Sequence, residues 1–498
     1  MTNTRTALVA LAMIAASAPA HSAVTISTAA TENVTCSGGV CAPTAAKAVL
    51  NVADLENLLS SGNVTVTTAG AGVDANDIRI ETALGWSATA LDLKAGRSVV
   101  IDQPVSVQNQ GGLSLTTGHR KEPGGSLFFG SHGSVTFADP RSAFSTNRVK
   151  YTLVNSIATL ASAVLANPDG NYALANSYDA SGDGTYSASP VPTTYGGIFE
   201  GLGNAISNLS INDSSDGSVG LFANVMPGTL RDVSLTDANV TGPPRYAGVG
   251  ALVAGLVGNL INDSVSGSVS SETQSGYVGG IVGYAGPGLI MGCSSSANVS
   301  AANGAAGGIA GYAYEITEFS GSRATGNVSG YFAGGLAGGT NYSQITTSFA
   351  TGTVEGNEVG GLVEDVGSGT IANSYATGLT ETLDHRSGNV GGLVGYLENG
   401  SVASASYSAG RVHGGGYKST GGFAGVVVDG TLSSDYWDTS TSGKKQGVGN
   451  EKNAPGVTGL TTQQLQSGLP TGFDPKIWAE DASINNGLPY LIANPPPK

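Results

Sequence analysis

Two neighbouring carboxylates, Glu364 and Asp365, interrupt a glycine-rich repeat at a point where glycine is otherwise expected. A glycosidase needs two carboxylates placed across the scissile bond, and a polysaccharide lyase needs a base. Lysine and arginine, which could serve as that base, are sparse in the repeats. We therefore interpret the pair as a solvated deviation at a turn, and we predict no catalytic residue and no enzymatic activity.

One segment contains side chains that could bind a metal ion. The segment Asp179-Ala-Ser181-Gly-Asp183-Gly184 begins like a calcium loop, with oxygen-bearing side chains alternating before a glycine. The bidentate glutamate that completes an EF-hand loop is missing after Pro190. A plain Asp/Gly turn is the preferred interpretation, although the sequence leaves calcium binding open. We predict no metal site and no cofactor.

Two further sets of side chains have a suggestive spacing. Thr325, Thr351 and Thr377 recur at a constant interval, and flat threonine faces can bind ice or glycans. Any solvent-facing strand could show the same pattern. Cys36 and Cys41 lie close together in a glycine-containing loop, which permits a small disulfide in an oxidising compartment.

The element that positions these residues is a repeat. A block beginning Gly-Gly-aliphatic occurs six times, starting at Gly279, Gly307, Gly334, Gly360, Gly391 and Gly421. This period of roughly 26–31 residues indicates a solenoid, in which each unit buries its apolar face against its neighbours. The glycine pairs are expected to permit positive φ and close backbone approach.

The second half of each repeat is equally regular. Ile290, Phe319, Ile345 and Ile371 align, and three positions after each come Cys293, Ser322, Ser348 and Ser374. A small stacked side chain is therefore expected at Cys293. Coils of about 28 residues with two or three short strands would stack at ~4.8 Å, with aliphatic side chains inside.

The regions outside the repeats also favour strands. Period-two triplets, from Val64-Thr-Val66 to Val135-Thr-Phe137, are separated by turn residues, and the interval from Leu91 to Leu113 is a plausible length for one β-helix coil. A β-sandwich would give similar triplets. Apolar residues at helical spacing predict short helices over 50–61 and 151–165.

Composition restricts the functional classes. The net charge is −15 with 21 Lys+Arg, so nucleic acid and anionic membranes are poor partners. Only 11% of residues are charged while 76 are glycine, a composition typical of an extracellular β-solenoid. Arg5 followed by the apolar run Ala7 to Ala16 predicts a secretory signal peptide, and no later segment predicts a membrane span.

The motifs resemble a known family. Val278-Gly-Gly-Ile-Val-Gly283 and Ile371-Ala-Asn-Ser-Tyr-Ala-Thr-Gly378 are similar to the two halves of the GLUG repeat, which occurs in filamentous-haemagglutinin-like bacterial surface proteins. Ala53-Asp-Leu55 to Thr68, with Trp86 and Leu113, resembles the haemagglutinin-type β-helix. The Asn-Pro-Asn-Leu export signature of two-partner relatives is not found, nor is the His-Glu-x-x-His pair of the zinc peptidase domain that some GLUG proteins carry.

The resemblance and the rule for parallel crossovers imply an all-β, right-handed parallel β-helix with short helical caps. We expect a secreted or surface-exposed adhesin-like protein that binds an extracellular glycan or protein ligand, with a possible outer-membrane export partner. A carbohydrate-active β-helix enzyme and a passive structural component are the alternatives. Five segments are predicted: 1–23 signal peptide, 24–145 haemagglutinin-type β-helix, 146–212 junction and lead-in, 213–440 about eight GLUG-type coils, and 441–498 C-terminal cap.

Overall fold

A computed structural model describes residues 23–70, 73–118, 125–215, 217–243, 248–383, 388–414 and 419–497. The predicted signal peptide, 1–23, therefore lies almost entirely outside the described residues. The chain divides into two units, Met1–Leu153 and Val154–Lys498. Both are built of parallel stacked coils, so the prediction of an all-β parallel β-helix is confirmed.

In the first unit, alternating apolar residues form short strands, most of which pair in parallel with strands on successive coils. Leu91 pairs with Leu113, so one coil spans the interval that the sequence predicts. Leu91 and Leu93 point inwards, as do their partners Leu113 and Leu115 on the next coil, and the polar residues between them face out. The strands are Ala23–Ser27, Val34–Ser37, Val40–Pro43, Ala48–Asn51, Val64–Thr67, Ala69–Gly70, Val73–Asp74, Asp77–Ile80, Leu84–Ser87, Ala90–Lys94, Val99–Ile101, Val105–Gln108, Gly112–Thr116, Leu127–Phe129, Val135–Phe137, Ala143–Thr146 and Val149–Val154.

Two local features complete this unit. The helix Val52–Ser61 begins at Asn51, whose side chain accepts hydrogen bonds from the first backbone N–H groups, and it buries Leu55 and Leu59. Cys36 and Cys41 lie opposite each other in an antiparallel hairpin and are joined by a disulfide.

The second unit begins with the helix Ile157–Ala166, which starts at a capping box formed by Ser156 and Thr159. Its coils build two long parallel sheets. Sheet 1 contains Tyr172–Leu174, Ile198–Glu200, Phe222–Arg231, Val253–Ile261, Val282–Met291, Ala310–Tyr314, Thr317–Ser320, Thr340–Asn341, Gln344–Thr346, Val363–Gly367, Thr370–Ala372, Val394–Glu398, Val402–Ser404, Ala424–Val428 and Thr431–Ser433.

Sheet 2 is formed by the other strand or strands of each coil. It contains Tyr178–Asp179, Thr185–Tyr186, Ala205–Ser207, Ser210–Asn212, Ser234–Gly242, Gly248–Gly250, Ser264–Gly279, Ser294–Ser295, Asn298–Gly307, Arg323–Ala324, Val328–Gly334, Phe349–Ala350, Val354–Gly360, Tyr375–Ala376, Thr380–Thr382, Val390–Gly391, Tyr407–Ser408, Val412–His413, Thr420–Gly421, Asp435–Asp438 and Val457–Leu460.

The Gly-Gly-aliphatic block forms the corner at which the chain leaves sheet 2 and enters sheet 1. None of the glycines in these pairs has a positive φ, so that part of the expectation is wrong. Close approach is instead the requirement. A Cβ on Gly334 would lie 1.9 Å from the carbonyl oxygen of Ala337, and one on Gly360 would lie 1.7 Å from that of Val363.

A column of small or polar side chains crosses the interior of the second unit. We call it the buried polar column; its members, all fully buried, are Asp263, Cys293, Ser322, Ser348, Ser374, Ser406 and Asp435. Apart from Cys293, each accepts a hydrogen bond from a backbone N–H of the preceding coil, as Ser374 does from Ser348 at 3.2 Å. All four serine hydroxyls, on Ser322, Ser348, Ser374 and Ser406, also donate back to the carbonyl two residues earlier.

The first part of the predicted C-terminal cap still belongs to the coils: Val457–Leu460 pairs in parallel with Asp435–Asp438. The helix Thr462–Leu465 follows, and a short antiparallel pair, Trp478–Ala479 with Tyr490–Leu491, then ends the fold. This segment packs on the outer face of sheet 2, where Trp478 contacts Tyr375 and Tyr407 at ring-centroid distances of 6.0 and 5.9 Å.

The buried polar column predicts a stability effect. Ser374→Ala removes both the acceptor for the Ser348 N–H and the donor to the Ala372 carbonyl. Because a buried group would lose its partner, we expect a loss of about 1–3 kcal/mol, measured by denaturant unfolding. Thr377→Ala, on the outward side of the same coil, is the control. Equal losses from the two variants would contradict the role of the column.

Candidate functional site

The outer face of sheet 2 is polar because apolar and polar residues alternate along its strands, and the apolar side chains point into the core. Val269, Val299 and Val328 point into the core and pair in register, whereas their neighbours face outwards. Those neighbours therefore form columns at the coil spacing. One column contains Asn212, Thr241, Ser270, Ser300, Ser329, Glu355, Glu381 and His413.

A second outward column is held by its own side chains. The backbone N–H of Asn327 donates to Oδ1 of Asn298 at 3.1 Å, and the N–H of Thr353 donates to Oδ1 of Asn327 at 3.1 Å. Farther back, Ser268 donates to Oδ1 of Asn239 at 3.1 Å. Because these bonds fix the amides, each Asn298 or Asn327 NH₂ group is presented outwards as a donor.

The two columns border a shallow groove of about 400 Å³. Its walls carry hydroxyl and amide groups, and its floor is the strand backbone at Val269, Val299 and Val328, whose side chains point into the core. The lining side chains that face outwards are Ser268, Ser270, Asn298, Ser300, Asn327, Ser329, Thr353 and Glu355. The groove thus presents many convergent hydrogen-bonding groups, which suit a polar ligand.

A second groove, of about 230 Å³, lies beside it on the same sheet. Here Ser234, Ser264, Ser294 and Arg323 pair in register, and Pro497 of the C-terminal segment borders the groove.

The predicted threonine set is placed on this face. Thr325, Thr351 and Thr377 directly follow Ala324, Ala350 and Ala376, which pair in register, so the threonines stack at the coil spacing. Thr325 lines the smaller groove; the other two line neither groove in the described part of the chain. Sequence reasoning missed the serine and asparagine columns, although Asn239, Ser268, Asn298 and Asn327 recur at nearly the coil period.

The predicted Asp/Gly turn is a 3₁₀ turn, Ala180–Asp183. Asp179 accepts hydrogen bonds from the backbone of Ser181 and from Asn208, which lower the pKa of its carboxyl. Asp183 accepts bonds from the hydroxyls of Tyr178 and Tyr186. Both carboxylates therefore already accept hydrogen bonds from groups of the protein. In the described residues, no three acidic, histidine or cysteine side chains are grouped to hold a metal ion.

Glu364 and Asp365 lie on sheet 1, directly after a glycine corner. The interpretation of the pair as solvated does not fit Glu364, whose side chain is only 4% exposed. Asp365 is half-buried, and its Oδ1 is buried without a hydrogen-bond partner. Burial raises the pKa of Asp365 to about 7, with Glu398 and Glu358 adding to the shift, and burial also raises the pKa of Glu364 well above its usual range.

Parts of the chain are similar to known proteins. The GLUG motif family matches residues 274–300, which begin in the strand before one glycine corner and end in Asn298–Gly307, the second sheet 2 strand after that corner. The chain carries the GLUG motif. The further resemblance to filamentous-haemagglutinin-like proteins stays a prediction. No curated protein matches this chain.

Two solved structures are similar to parts of it. A protein assigned as an immunoglobulin A1 protease from Bacteroides ovatus is 20% identical, with a TM-score of 0.37; the match covers 69% of this chain and 93% of that one. An IgA1 protease is 19% identical, with a TM-score of 0.38; the match covers 55% of this chain and 20% of that one.

These two structures correct one prediction. The chain was expected not to be an enzyme, and that exclusion is wrong because both similar proteins are named as proteases. At identities of 20% and 19%, the likeness assigns no peptidase residues or mechanism to this chain. Within the described residues, no helix is long and apolar enough to cross a membrane.

The raised pKa of Asp365 predicts a pH effect. Since the carboxyl titrates near 3.8 when unperturbed and at about 7 in the folded chain, its stabilising contribution is complete below about pH 4 and is lost as the pH rises through 7. The melting temperature of Asp365→Asn, measured relative to that of the parent, should therefore rise by up to a few degrees as the pH increases from 5 to 8. Thermal unfolding at each pH checks this.

Glu355→Gln, on the outer face of sheet 2, is the matched control for this titration. A difference between Asp365→Asn and the parent that stays constant from pH 5 to 8 would show that Asp365 is not the titrating group.

Proposed function

We propose that the chain is a secreted, adhesin-like β-helix that binds glycan ligands through the outer face of sheet 2. The larger groove, with its registered serine and asparagine columns, is the observation that carries this proposal. The proposal includes export out of the cytoplasm, consistent with the predicted signal peptide and with the disulfide between Cys36 and Cys41. An outer-membrane export partner belongs to the same proposal.

The chemistry of the groove suits sugars. Hydroxyl and amide groups can donate to and accept from sugar hydroxyls. The outward amides of Asn298 and Asn327 are already oriented by backbone N–H bonds. Less conformational entropy is therefore lost when a ligand binds.

Repetition of the columns supports binding along a polymer. Equivalent groups recur on each coil at ~4.8 Å, so a chain of sugars can form similar weak contacts with several coils. Such contacts act together because the second is made at high effective concentration once the first has formed.

The first test mixes the chain from residue 24 onwards with a panel of polysaccharides and follows glycan size by gel filtration. Co-elution of glycan at unchanged length supports the proposal. Shortened glycan would instead support the second candidate, a carbohydrate-active enzyme, which the raised pKa values of the carboxyls of Glu364 and Asp365 favour. If no glycan co-elutes or changes length, a protein ligand takes the place of the glycan.

A variant localises the binding site. Ser300→Trp places an indole in the middle of the larger groove, and we expect it to weaken binding of the co-eluting glycan at least tenfold, measured by isothermal titration calorimetry. Gln344→Trp is the matched control, because Gln344 is exposed on the other sheet. Equal affinity of the two variants would exclude the groove as the site.

A further inference from the structure

A second surface lies at the glycine corner, away from the grooves of sheet 2. Tyrosines from the strand before the corner and the strand after it meet there. Tyr277 lies 5.6 Å from Tyr284 and 5.1 Å from Tyr312 between ring centroids, and Tyr314 lies 5.4 Å from Tyr284. The Tyr284 and Tyr312 rings are nearly parallel, at 6°. All four side chains are partly exposed, so they are accessible to a ligand.

Carboxylates continue this surface along the coils. In register, the position of Tyr312 is followed on later coils by Gly339, Asp365 and Tyr396. A Cβ on Gly339 would lie 2.9 Å from the Tyr312 ring and 3.9 Å from Cβ of Asp365. Because Gly339 has no side chain, no group at this position separates the edge of the Tyr312 ring from Asp365, where the acidic part of the surface begins.

Four carboxylates occupy that part: Glu358, Glu364, Asp365 and Glu398. In the described chain none of them forms an ion pair with lysine or arginine. Glu364 is the decisive one, because it is only 4% exposed and no hydrogen bond to its side chain is found in the described residues. The charges of Asp365, Glu358 and Glu398 add to the rise in its pKa that burial causes.

An unpaired carboxylate in such a place is costly. It occupies a position that is glycine on neighbouring coils, at Gly311, Gly338, Gly395 and Gly425. The fold therefore has no need of a carboxylate there. A cation bound beside Glu364 and Asp365 would supply a counter-charge for their ionised forms, and the adjacent tyrosine faces would attract an organic cation through their π-systems.

We propose that this tyrosine–carboxylate corner binds the protonated amino groups of an amino-sugar polymer. Its ammonium groups would donate to Asp365, Glu364 and their neighbours, and its pyranose rings would pack on Tyr284, Tyr312 and Tyr396. The surface from Tyr284 to Tyr396 crosses four coil steps, or roughly 19 Å, so a short oligosaccharide can contact both the aromatic and the acidic parts. The site is separate from the grooves of sheet 2, and it does not depend on the function proposed for them.

The test titrates the chain from residue 24 onwards with a β-1,4-linked glucosamine tetramer, using calorimetry at pH 6.5. The N-acetylglucosamine tetramer, which has the same rings and no ammonium group, is the matched ligand. We expect the glucosamine tetramer to bind at least tenfold more tightly. No binding, or equal affinity for the acetylated tetramer, would overturn the proposal.

Three variants and one further probe locate the effect. Glu364→Gly restores the residue found on neighbouring coils and should fold, as circular dichroism can verify. This variant and Tyr312→Leu should each weaken binding about tenfold, whereas Glu381→Gln removes a carboxylate from sheet 2 and should leave the affinity unchanged. Unchanged binding by Glu364→Gly, or equally tight binding of tetralysine, would overturn an amino-sugar site at this corner.

These results are distinguishable from those for the grooves. Ser300→Trp should leave the affinity for the glucosamine tetramer unchanged, since Ser300 lies on the outer face of sheet 2. Loss of glucosamine binding in that variant would place the ligand in the groove and contradict the corner site.

Discussion

The second unit depends on one close contact, repeated on coil after coil, between the first glycine of each corner and the carbonyl three residues later. A Cβ added to that glycine would lie 1.7 to 2.0 Å from the oxygen at Gly279, Gly307, Gly334, Gly360, Gly391 and Gly421. The second glycine is similarly restricted, since a Cβ on Gly308 would lie 2.4 Å from the carbonyl oxygen of Gly335 on the next coil. Only glycine allows the two sheets to meet this closely.

The polar surfaces follow from this corner. Because the corner fixes where each coil enters and leaves sheet 2, residues at equal distance from it stack in register, and the buried polar column and the groove columns result. The same register brings Tyr277 of one sheet against Tyr284 and Tyr312 of the other. One local steric constraint thus positions both the core and the two surfaces on which function is proposed.

Much of the fold could be predicted, because a repeat shows its constraint many times over. The Gly-Gly blocks indicated the coils, and the serine alignment placed Cys293 in a buried column of small side chains. The glycine conformation was predicted less well, since spacing cannot distinguish positive φ from close approach. The course of the C-terminal segment over the aromatic residues Phe349, Tyr375 and Tyr407 depends on contacts between distant residues, which periodicity does not report.

The candidate sites were harder to predict for the same reason. The sequence pattern reveals Thr325, Thr351 and Thr377 because the same residue type recurs on each coil. The columns that line the larger groove mix serine and asparagine, so no single residue type marks them. Glu364 was recognised as a departure from glycine, but its burial could not be read from sequence. Its environment depends on Glu358 and Glu398, which lie on the strand before the corner and on the next coil.

The corner contact is tested most directly by comparing Gly334→Ala with Gly182→Ala in denaturant unfolding. A Cβ at Gly334 would meet the Ala337 carbonyl oxygen at 1.9 Å, whereas one at Gly182 would have no atom within 4 Å. Overpacking predicts a loss of about 1–3 kcal/mol or more for Gly334→Ala, and little change for Gly182→Ala. Equal stability of the two variants would contradict the view that close approach at the glycine corner determines this fold.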